Sequence, residues 1–501
     1  MPSRGLLLNL SRSATCLSSV ASQVSRPEVP LAVGTHPLNE AERLETGFTL
    51  DPQLFEKIQK KDVKIAVLGM GHVGLPTALG LASLGWDVLG TDSFAPLIDK
   101  LQAGTVPFYE PGLEQLLHEH LGANFQPVHD LEGAIREATI LFLCVGTPQK
   151  SSGEADLSQV EAAARTIANQ LNGYKLIIEK STVPAITAQW IKRTIRRYAR
   201  NSEREVPDFD VASNPEFLQE GVALKNVFHP ERIVCGVQND RARQIIEELY
   251  RPFEAPILIT GLSTAEIIKH AANSFLSMKI SFIKMVADLC ELVGADVTEV
   301  AKGIGMDHRI GPDFLQAGIG FGGYCFPKDL RAFIYLAEEH GADFSLLKQV
   351  EAINIHRTEV FMKKVRGALW VLHDKTIAVL GLAFKPGTDD TRESPSMRIV
   401  EELLKEGSTL RVFDPKALPL LENALLKDSG KLMFCESALE AANTAHALLV
   451  LTEWPEFRDL PWSTIRDRME LPLVIDGRNL LDPQDIREAG FEYLSMGRPD
   501  L

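Results

Sequence analysis

The sequence predicts an α/β protein in which two doubly wound, mainly parallel sheets are joined by a long central helical segment. A β-branched run at residues 63–68 leads through a glycine turn into an apolar helical stretch, the order expected of a strand, a turn and a helix. Similar residue types return at 376–382, and a long apolar helical pattern begins near residue 263. The 501 residues, at about 150 per domain, are consistent with about three domains.

The composition excludes several classes of protein. The chain has 52 Lys and Arg against 67 Asp and Glu, a net charge of -15, so no global positive field exists to hold nucleic acid or an anionic membrane. No run of about 18 apolar residues indicates a transmembrane span. The 6 cysteines form no CxxC pair and the 12 histidines form no metal-binding pattern. We therefore expect a cytoplasmic protein with reduced thiols and no metal site.

An N-terminal extension at residues 1–61 precedes the first predicted strand. Residues 1–27 contain arginines and serines but no acidic residue, a composition that also fits a mitochondrial presequence. We favour a flexible extension on a cytoplasmic protein, with mitochondrial targeting as the alternative.

The first strand and turn carry a pattern typical of dinucleotide binding. Gly69 allows a tight turn, Gly71 lets the backbone approach a pyrophosphate, and Gly74 lets the helix pack on the strand. The next strand ends in Asp92, whose carboxylate suits the ribose hydroxyls of NAD and would repel the 2′-phosphate of NADP. We therefore assign to an NAD site in a Rossmann-like domain the residues Gly69, Gly71, Val73, Gly74 and Asp92.

Three later strand-like runs each end in small polar residues beside a proline. The residues at these ends are Thr147, Thr182 and Glu216. Because ligands bind beyond the carboxyl ends of parallel strands, we expect the three side chains to share one crevice with the cofactor. The alternative is that they form ordinary helix caps and turns.

The sequence Ser-Thr-Ala-Glu at 263–266 predicts a capping box at the start of the long central helix. This helix is apolar nearly all round, which predicts burial between domains or subunits. Lys269 and Asn273 lie four residues apart near its start, so their side chains share one face. Because a buried lysine is costly without a partner, Lys269 is either a functional residue or half of a structural ion pair.

A glycine-rich loop at 318–323 leads to Cys325. So much glycine predicts a loop that lies close against a ligand and presents this cysteine. With Lys269 and Lys328 as nearby cations, we expect the thiol to have the lowered pKa that a nucleophile needs. A buried structural thiol is the alternative.

The second half of the chain repeats the pattern of the first without its phosphate-binding glycines. Residues 376–382 and 410–414 are similar to residues 64–70 and 88–92, which predicts a second Rossmann-like domain. Gly381 is not followed by GxGxxG spacing, so we do not expect this domain to bind NAD. Basic residues at its strand ends instead indicate an anionic group such as a nucleotide diphosphate.

These motifs, in this order, resemble the nucleotide-sugar 6-dehydrogenases, the UDP-glucose/GDP-mannose dehydrogenase family. The resemblance covers about residues 62–490. The stretches that carry it are the glycine turn at 69–74, Val-Pro-Phe-Tyr-Glu-Pro-Gly-Leu at 106–113, Ser-Thr-Val-Pro at 181–184, Asn-Pro-Glu-Phe-Leu-Gln-Glu-Gly at 214–221, Lys269 with Asn273, Arg-Ile-Gly at 309–311, the loop to Cys325, Phe-Lys at 384–385, Thr-Arg-Glu-Ser at 391–394 and Asp-Gly-Arg at 476–478.

The resemblance implies an oxidoreductase that oxidises the C6 alcohol of a nucleotide sugar twice, with two NAD+ in turn, to the uronate. Cys325 would first carry a thiohemiacetal and then a thioester. Which group takes the first proton stays open.

The same resemblance implies roles for five further residues. Lys269 and Asn273 would stabilise oxyanions, and Asp329 would orient water or assist proton transfer. Thr182 and Glu216 would position water and the base, with Glu216 assisting thioester hydrolysis.

Two sets of binding residues also follow from the resemblance. The cofactor set comprises Gly69, Gly71, Val73, Gly74, Asp92, Thr147, Thr182, Glu220, Lys328 and Arg392. The substrate set comprises Glu216, Phe217, Leu218, Glu220, Lys269, Asn273, Arg309, Phe314, Gly322, Lys385 and Arg478. Arg309 would reach in from a neighbouring subunit, which predicts a homo-oligomer, either a dimer or a dimer-based hexamer.

The strings at 106–113 and 214–221 are closest to the UDP-glucose branch of the family, so we expect oxidation of UDP-glucose to UDP-glucuronate. The alternatives are the same chemistry on a UDP-N-acetylhexosamine or GDP-mannose, and a catalytically silent NAD-binding scaffold. Retention of the reacting residues argues against the scaffold. Tyr324 and Pro327 depart from the family pattern and bear on loop closure.

The predicted segments are an N-terminal extension, an NAD-binding Rossmann domain, a central helical segment for subunit pairing and the catalytic loop, and a Rossmann-like UDP-sugar domain. Their predicted limits are 1–61, 62–260, 261–370 and 371–501.

Overall fold

The computed structural model describes residues 48–200, 206–418 and 430–499. The expectation of a tail or presequence at residues 1–27 lies outside these described ranges. Within them, no helix is both long enough and apolar enough to cross a membrane.

A first sheet occupies the N-terminal half, and its strand order is β3-β2-β1-β4-β5-β6-β7-β8. Neighbouring strands run parallel, except for the antiparallel pairing of β6 with β7. The strands are β1 (Lys64–Leu68), β2 (Asp87–Thr91), β3 (Phe125–Pro127), β4 (Ala138–Leu143), β5 (Lys175–Glu179), β6 (Phe209–Ser213), β7 (Ile233–Gly236) and β8 (Ile257–Thr260).

Helices cover both faces of this sheet, because alternate residues of each central strand point to opposite sides. Ile65 and Val67 of β1 pack into one hydrophobic core, whereas Ala66 and Leu68 pack into another. The helices are α1 (Pro52–Gln59), α2 (Gly74–Ser83), α3 (Ala95–Gln102), α4 (Leu113–His120), α5 (Leu131–Glu137), α6 (Ser158–Gln170), α7 (Thr187–Arg200), α8 (Ala223–Phe228) and α9 (Asp240–Tyr250), with a 3₁₀ turn at Arg251–Phe253.

A helical segment follows and is dominated by one long helix. Its helices are α10 (Leu262–Val293), α11 (Val297–Gly305), α12 (Cys325–Glu339) and α13 (Ser345–Leu369).

The predicted capping box of α10 is wrong. The N-cap is Gly261, two residues before Ser263, and it makes no side-chain cap hydrogen bond, so the helix begins at Leu262. The Glu266 carboxylate instead accepts hydrogen bonds from the backbone N–H groups of Ile186 and Ala188, at 2.7 and 2.8 Å. It is therefore drawn to the start of α7, a contact that the sequence around Glu266 does not contain.

The expectation that α10 buries an all-round apolar surface is also corrected. The face turned into the protein is largely polar and includes Lys269, Asn273 and Lys284. The face left exposed is apolar, with Phe275, Phe282, Met285, Leu289, Leu292 and Val293.

The second sheet has the order β11-β10-β9-β12-β13-β14, and its strands run parallel. This order matches the first six strands of the first sheet, which confirms the predicted fold class. The elements are β9 (Thr376–Leu380), α14 (Pro395–Lys405), β10 (Thr409–Phe413), β11 (Leu432–Phe434), α15 (Ala438–Ala441), β12 (Ala447–Val450), a 3₁₀ turn at Pro455–Phe457, α16 (Trp462–Arg468), β13 (Leu473–Asp476), α17 (Pro483–Glu488) and β14 (Glu492–Ser495).

Candidate active site

Two adjoining cavities lie at the carboxyl ends of the two sheets. The smaller, of about 430 Å³, lies over the glycine turn after β1. The larger, of about 930 Å³, is lined by α10, the glycine-rich loop and the strand ends of the second sheet. Both volumes lie in the range of small-molecule sites. The residues that line both cavities are Glu216, Glu220, Tyr324 and Cys325.

The smaller cavity is built around the predicted cofactor turn. Gly69 has a φ of +100°, and a Cβ there would strike the carbonyl oxygen of Cys144. A Cβ added at Gly71 would meet no atom within 4 Å, so space for a ligand lies over this residue. Helix α2 begins at Gly74 without a side-chain cap, which leaves N–H groups for an anion. These features fit the pyrophosphate of a dinucleotide.

Asp92 lies at the other side of the same cavity. Its carboxylate accepts hydrogen bonds from the backbone N–H groups of Met70 at 2.8 Å and Phe94 at 2.9 Å. The side chain is half-buried and lines the cavity. Its remaining acceptor capacity faces the space where a ribose would lie.

The predicted cofactor residues converge here with one exception. Gly74 packs beneath the turn, where a Cβ would collide with the Gly69 carbonyl oxygen, and lines neither cavity. The residues that line the smaller cavity are Gly69, Gly71, Val73, Asp92, Thr147, Thr182, Glu220, Lys328 and Arg392.

The strand ends after β4, β5 and β6 meet at this cavity as expected. Thr147 donates its hydroxyl to the carbonyl oxygen of Thr182 at 2.9 Å, and Lys328 Nζ lies 3.4 Å from the Thr147 hydroxyl. Glu216 lies on the wall shared with the larger cavity. The structure therefore brings the three residues into one crevice.

A buried set of charged and polar groups surrounds Cys325, the first residue of α12. Lys269 and Asn273, one turn apart on α10, face it with their polar ends. Lys269 Nζ pairs with Glu216 Oε1 at 3.0 Å, and Asn273 Nδ2 donates to Asp329 Oδ2 at 2.6 Å.

The charged groups of this set hold one another ionised. Burial acts to lower the pKa of Lys269, but the charges of Glu216 and Asp329 outweigh it and raise that pKa. For Asp329 burial acts to raise the pKa, but Lys328, whose ammonium lies 2.7 Å away, and other cations hold it below its usual value. Fixed charges are therefore in place before any ligand enters.

The expectation of a lowered pKa at Cys325 is wrong. Burial, together with the charges of Asp329 and Glu216, raises the pKa of the thiol to about 12, although Lys269 opposes this. The cations expected to activate the thiol are already paired with carboxylates, so their effect is largely cancelled. This environment favours the protonated thiol over the thiolate.

Most of the predicted substrate residues line the larger cavity. They are Glu216, Phe217, Leu218, Glu220, Lys269, Asn273, Phe314, Gly322, Lys385 and Arg478. The Phe217 ring lies 5.3 Å from Lys269 Nζ, and Arg478 donates to the carbonyl oxygens of Leu451 at 2.7 Å and Gly320 at 2.9 Å.

Arg309 is not brought to the cavity of its own chain. Its side chain is 78% exposed and pairs with Asp307 two residues earlier. It lies beside Ile310 and Gly311, which do line the larger cavity.

Several residues of the site escaped the sequence analysis. His72 of the glycine turn stacks on Phe108 at 4.0 Å, and burial, with the charge of Arg392, lowers its pKa to about 4. Glu453 follows β12 and lines the larger cavity, as does Lys284 of α10. A lysine within a long, mainly apolar helical stretch could have drawn attention to Lys284, but its partner Asn354 lies on another helix.

Comparisons with known proteins agree along the chain. Three parts of the UDP-glucose/GDP-mannose dehydrogenase family match in order: its NAD binding domain at residues 63–254, its central domain at 263–356 and its UDP binding domain at 378–483. The UDP-glucose 6-dehydrogenase TuaD of Bacillus subtilis is 41% identical over 437 residues, 87% of this chain and 93% of that protein. A UDP-glucose 6-dehydrogenase of Rhizobium meliloti is 41% identical over 448 residues, 87% of this chain and 100% of its own.

Solved structures give the same result. A UDP-glucose dehydrogenase of Pyrobaculum islandicum aligns with a TM-score of 0.79 at 36% identity and covers 86% of this chain and 97% of its own. A UDP-D-ManNAc dehydrogenase of Pyrococcus horikoshii aligns with a TM-score of 0.77 at 30% identity and covers 87% of this chain and 100% of its own. The chain belongs to the UDP-glucose/GDP-mannose dehydrogenase family and is an NAD-dependent oxidoreductase.

Proposed function

We propose that the protein oxidises UDP-glucose at C6 in two successive steps, converting UDP-glucose, two NAD+ and water into UDP-glucuronate, two NADH and three protons. Relatives near 40% identity that bear the name UDP-glucose 6-dehydrogenase support this substrate. NAD+ held over the glycine turn supplies a hydride acceptor for each oxidation.

One observation carries the proposal. Cys325 lies on the wall shared by the cofactor cavity and the larger cavity, with Glu216 and Glu220. A thiol at this junction can reach the C6 carbon of a sugar that is bound in the larger cavity and oxidised by NAD+ bound in the smaller one. A thiol confined to either cavity alone could not play both parts.

In the first half of the reaction the C6 alcohol becomes an aldehyde: a hydride would leave C6 for NAD+, and the hydroxyl proton would be released from the site. The aldehyde oxygen would lie near the ammonium of Lys269 and the amide of Asn273, which stabilise negative charge as it develops there. The Cys325 sulfur then bonds to the aldehyde carbon, and the thiol proton passes to the aldehyde oxygen, giving a thiohemiacetal. Burial raises the pKa of this thiol, which favours its delivery of the proton together with the sulfur.

In the second half the thiohemiacetal would lose a second hydride to NAD+ and its hydroxyl proton, which gives a thioester that water hydrolyses. Water adds to the thioester carbon, the bond from carbon to the Cys325 sulfur breaks, and the sulfur recovers a proton. Asp329 and Glu216 are held by Asn273 and Lys269 at positions from which they orient water and accept its proton. Thr182 lies at the cofactor side of the same crevice.

The strand ends of the second sheet would hold the UDP moiety. Lys385 after β9 and Arg478 after β13 both line the larger cavity. Anionic phosphate oxygens accept charge-assisted hydrogen bonds from such groups.

A second copy of the chain would cover the exposed face of α10. This face presents Phe282, Met285, Leu289 and Leu292, which are 48% to 84% exposed. A continuous apolar face of this kind is typical of an interface between subunits. Arg309, exposed in its own chain, would then enter the larger cavity of the partner copy.

Replacing Cys325 with Ala tests the mechanism. We expect Cys325→Ala to form no UDP-glucuronate while it binds NAD+ as the parent does, because the cofactor residues are untouched. Cys435→Ala, which alters a buried thiol of the second sheet, is the matched control and should stay active. Uronate formation by Cys325→Ala near the parental rate would contradict the thioester route.

A further inference from the structure

A buried lysine without a carboxylate partner faces the larger cavity. Lys284 of α10 is 1% exposed, yet it lines this cavity beside Phe321 and Arg478. Its Nζ donates to Asn354 Oδ1 at 3.1 Å and lies 5.2 Å from the centre of the Phe321 ring. Over the residues that the structure describes, no carboxylate forms an ion pair with this ammonium.

Two other buried ammonium groups at the cavities differ from that of Lys284 in having a carboxylate partner. Lys269 and Lys328 are paired with Glu216 and Asp329, at 3.0 and 2.7 Å. The ammonium of Lys284 has three N–H donors, of which Asn354 accepts one. A buried charge without a counter-charge is costly, so an anionic ligand in the cavity would stabilise the ammonium form of Lys284.

The charges that face Lys284 come from α13 and from the second sheet. They are Arg357, which pairs with Asp288, and Arg478, which pairs with Glu453 at 3.2 Å. Burial lowers the pKa of Lys284 well below its usual value, and Arg478 and Arg357 lower it further, while Glu453 opposes them. An anion beside the amine would reverse this effect.

We propose that Lys284 is a further substrate-binding residue, whose ammonium contacts the diphosphate of the nucleotide sugar together with Arg478. The inference rests on the proposed function, because it takes the larger cavity to be the nucleotide-sugar site. Among the parts of such a ligand only the diphosphate is negatively charged. The nucleobase and the sugar hydroxyls could accept a hydrogen bond but could not balance the ammonium.

Substrate binding would then be coupled to proton uptake. Burial lowers the pKa of the amine in the free protein, and the diphosphate lying against it in the complex would raise that pKa again. UDP-glucose carries no group of its own that titrates near neutral pH. Any proton taken up when this ligand binds is therefore bound by a group of the protein.

Lys284→Met removes the charge and keeps the length of the side chain. We expect binding of UDP-glucose, measured by calorimetry without NAD+, to weaken by about tenfold or more. The proton uptake, obtained from buffers of different ionisation enthalpy, should fall in the same variant. Uridine, which has no phosphate, should bind parent and variant alike.

Lys175→Met is the matched control. Lys175 is also buried, with a pKa that burial lowers to about 8, but it lines neither cavity. The Lys175→Met variant should keep the parental affinity for UDP-glucose and the parental proton uptake.

Parental affinity and proton uptake in Lys284→Met would overturn the proposal, and so would an equal loss of uridine binding. The assigned reaction is tested separately, since the parent either forms uronate or does not, whatever Lys284 contacts.

Discussion

The six strands of the second sheet have the same order as the first six of the first sheet. In each sheet an aspartate follows the second strand of the chain, but the two aspartates have different contacts. In the first sheet Asp92 follows β2, accepts two backbone N–H groups and remains open to the smaller cavity. In the second sheet Asp414 follows β10 and is 2% exposed. The groups that donate to it are the backbone N–H groups of Leu382, Ala383, Lys416 and Ala417 and the indole N–H of Trp454. The protein itself occupies the place that a ribose would take.

The turns after β1 and β9, the first strand of each sheet in chain order, also differ. Gly69 and Gly381 both have positive φ, +100° and +95°. Helix α2 begins at Gly74, directly after the first turn, whereas α14 begins only at Pro395. The longer segment after Gly381 is free to carry Lys385 into the larger cavity. A repeated strand order and a repeated glycine therefore do not specify the ligand. The ligand depends on the residues that follow this glycine and on whether the aspartate after the second strand is accessible.

Asp414→Asn has the largest expected effect. The amide would turn N–H groups toward donors that now meet a carboxylate oxygen, so we expect the free energy of unfolding to fall by about 3 kcal/mol. Urea unfolding followed by tryptophan fluorescence measures this, since Trp454 contacts Asp414. Asp92→Asn is the control, and its free energy of unfolding should fall by much less. Equal losses would show that both carboxylates are structural.

Asp92→Asn tests the open member of the pair. We expect NAD+ binding to weaken by about 1 to 3 kcal/mol, because the ribose hydroxyls lose a charged acceptor. Calorimetric titration gives the affinity, and UDP-glucose binding to the same variant should not change. Parental NAD+ affinity in Asp92→Asn would remove the cofactor role from this carboxylate.

Glu220, which lines both cavities, gives the smallest effect, a difference in pH dependence. Burial, together with the charge of Asp390, raises its pKa to about 7, whereas a glutamate in the unfolded chain titrates near about 4.3. Between these values the folded protein binds the extra proton, so the contribution of this group to stability is greatest at low pH and is lost as the pH rises through 7.

Glu220→Gln imitates the protonated form at every pH. Its melting temperature should therefore rise relative to that of the parent between about pH 5 and pH 8. A difference in melting temperature that stays constant across this range would show that Glu220 does not ionise within it.

Much of this arrangement could be predicted from short stretches of sequence. Glycine spacing and strand-end prolines are local signals, and they led to the cofactor turn, to Thr147 and Thr182, and to the loop before Cys325. The fold class followed from the repetition of these signals. The functional roles of these residues and the limits of the segments stay predictions.

The errors concern groups whose environment is made by distant elements. The bond of Glu266 to the start of α7 and the cancelled cations around Cys325 depend on how helices pack. Lys284 is similar, because its burial and its missing counter-charge involve α13 and the second sheet. Residue types on one helix do not reveal these contacts.

The most direct test is to count NADH. The purified protein is incubated with a limiting amount of UDP-glucose and excess NAD+, and the NADH formed is compared with the sugar consumed. Two NADH for each UDP-glucose are expected, one from the oxidation of the alcohol to the aldehyde and one from the oxidation of the thiohemiacetal to the thioester. One NADH for each sugar would contradict the thioester stage. No NADH with UDP-glucose, but two with UDP-N-acetylglucosamine or GDP-mannose, would contradict the assigned substrate.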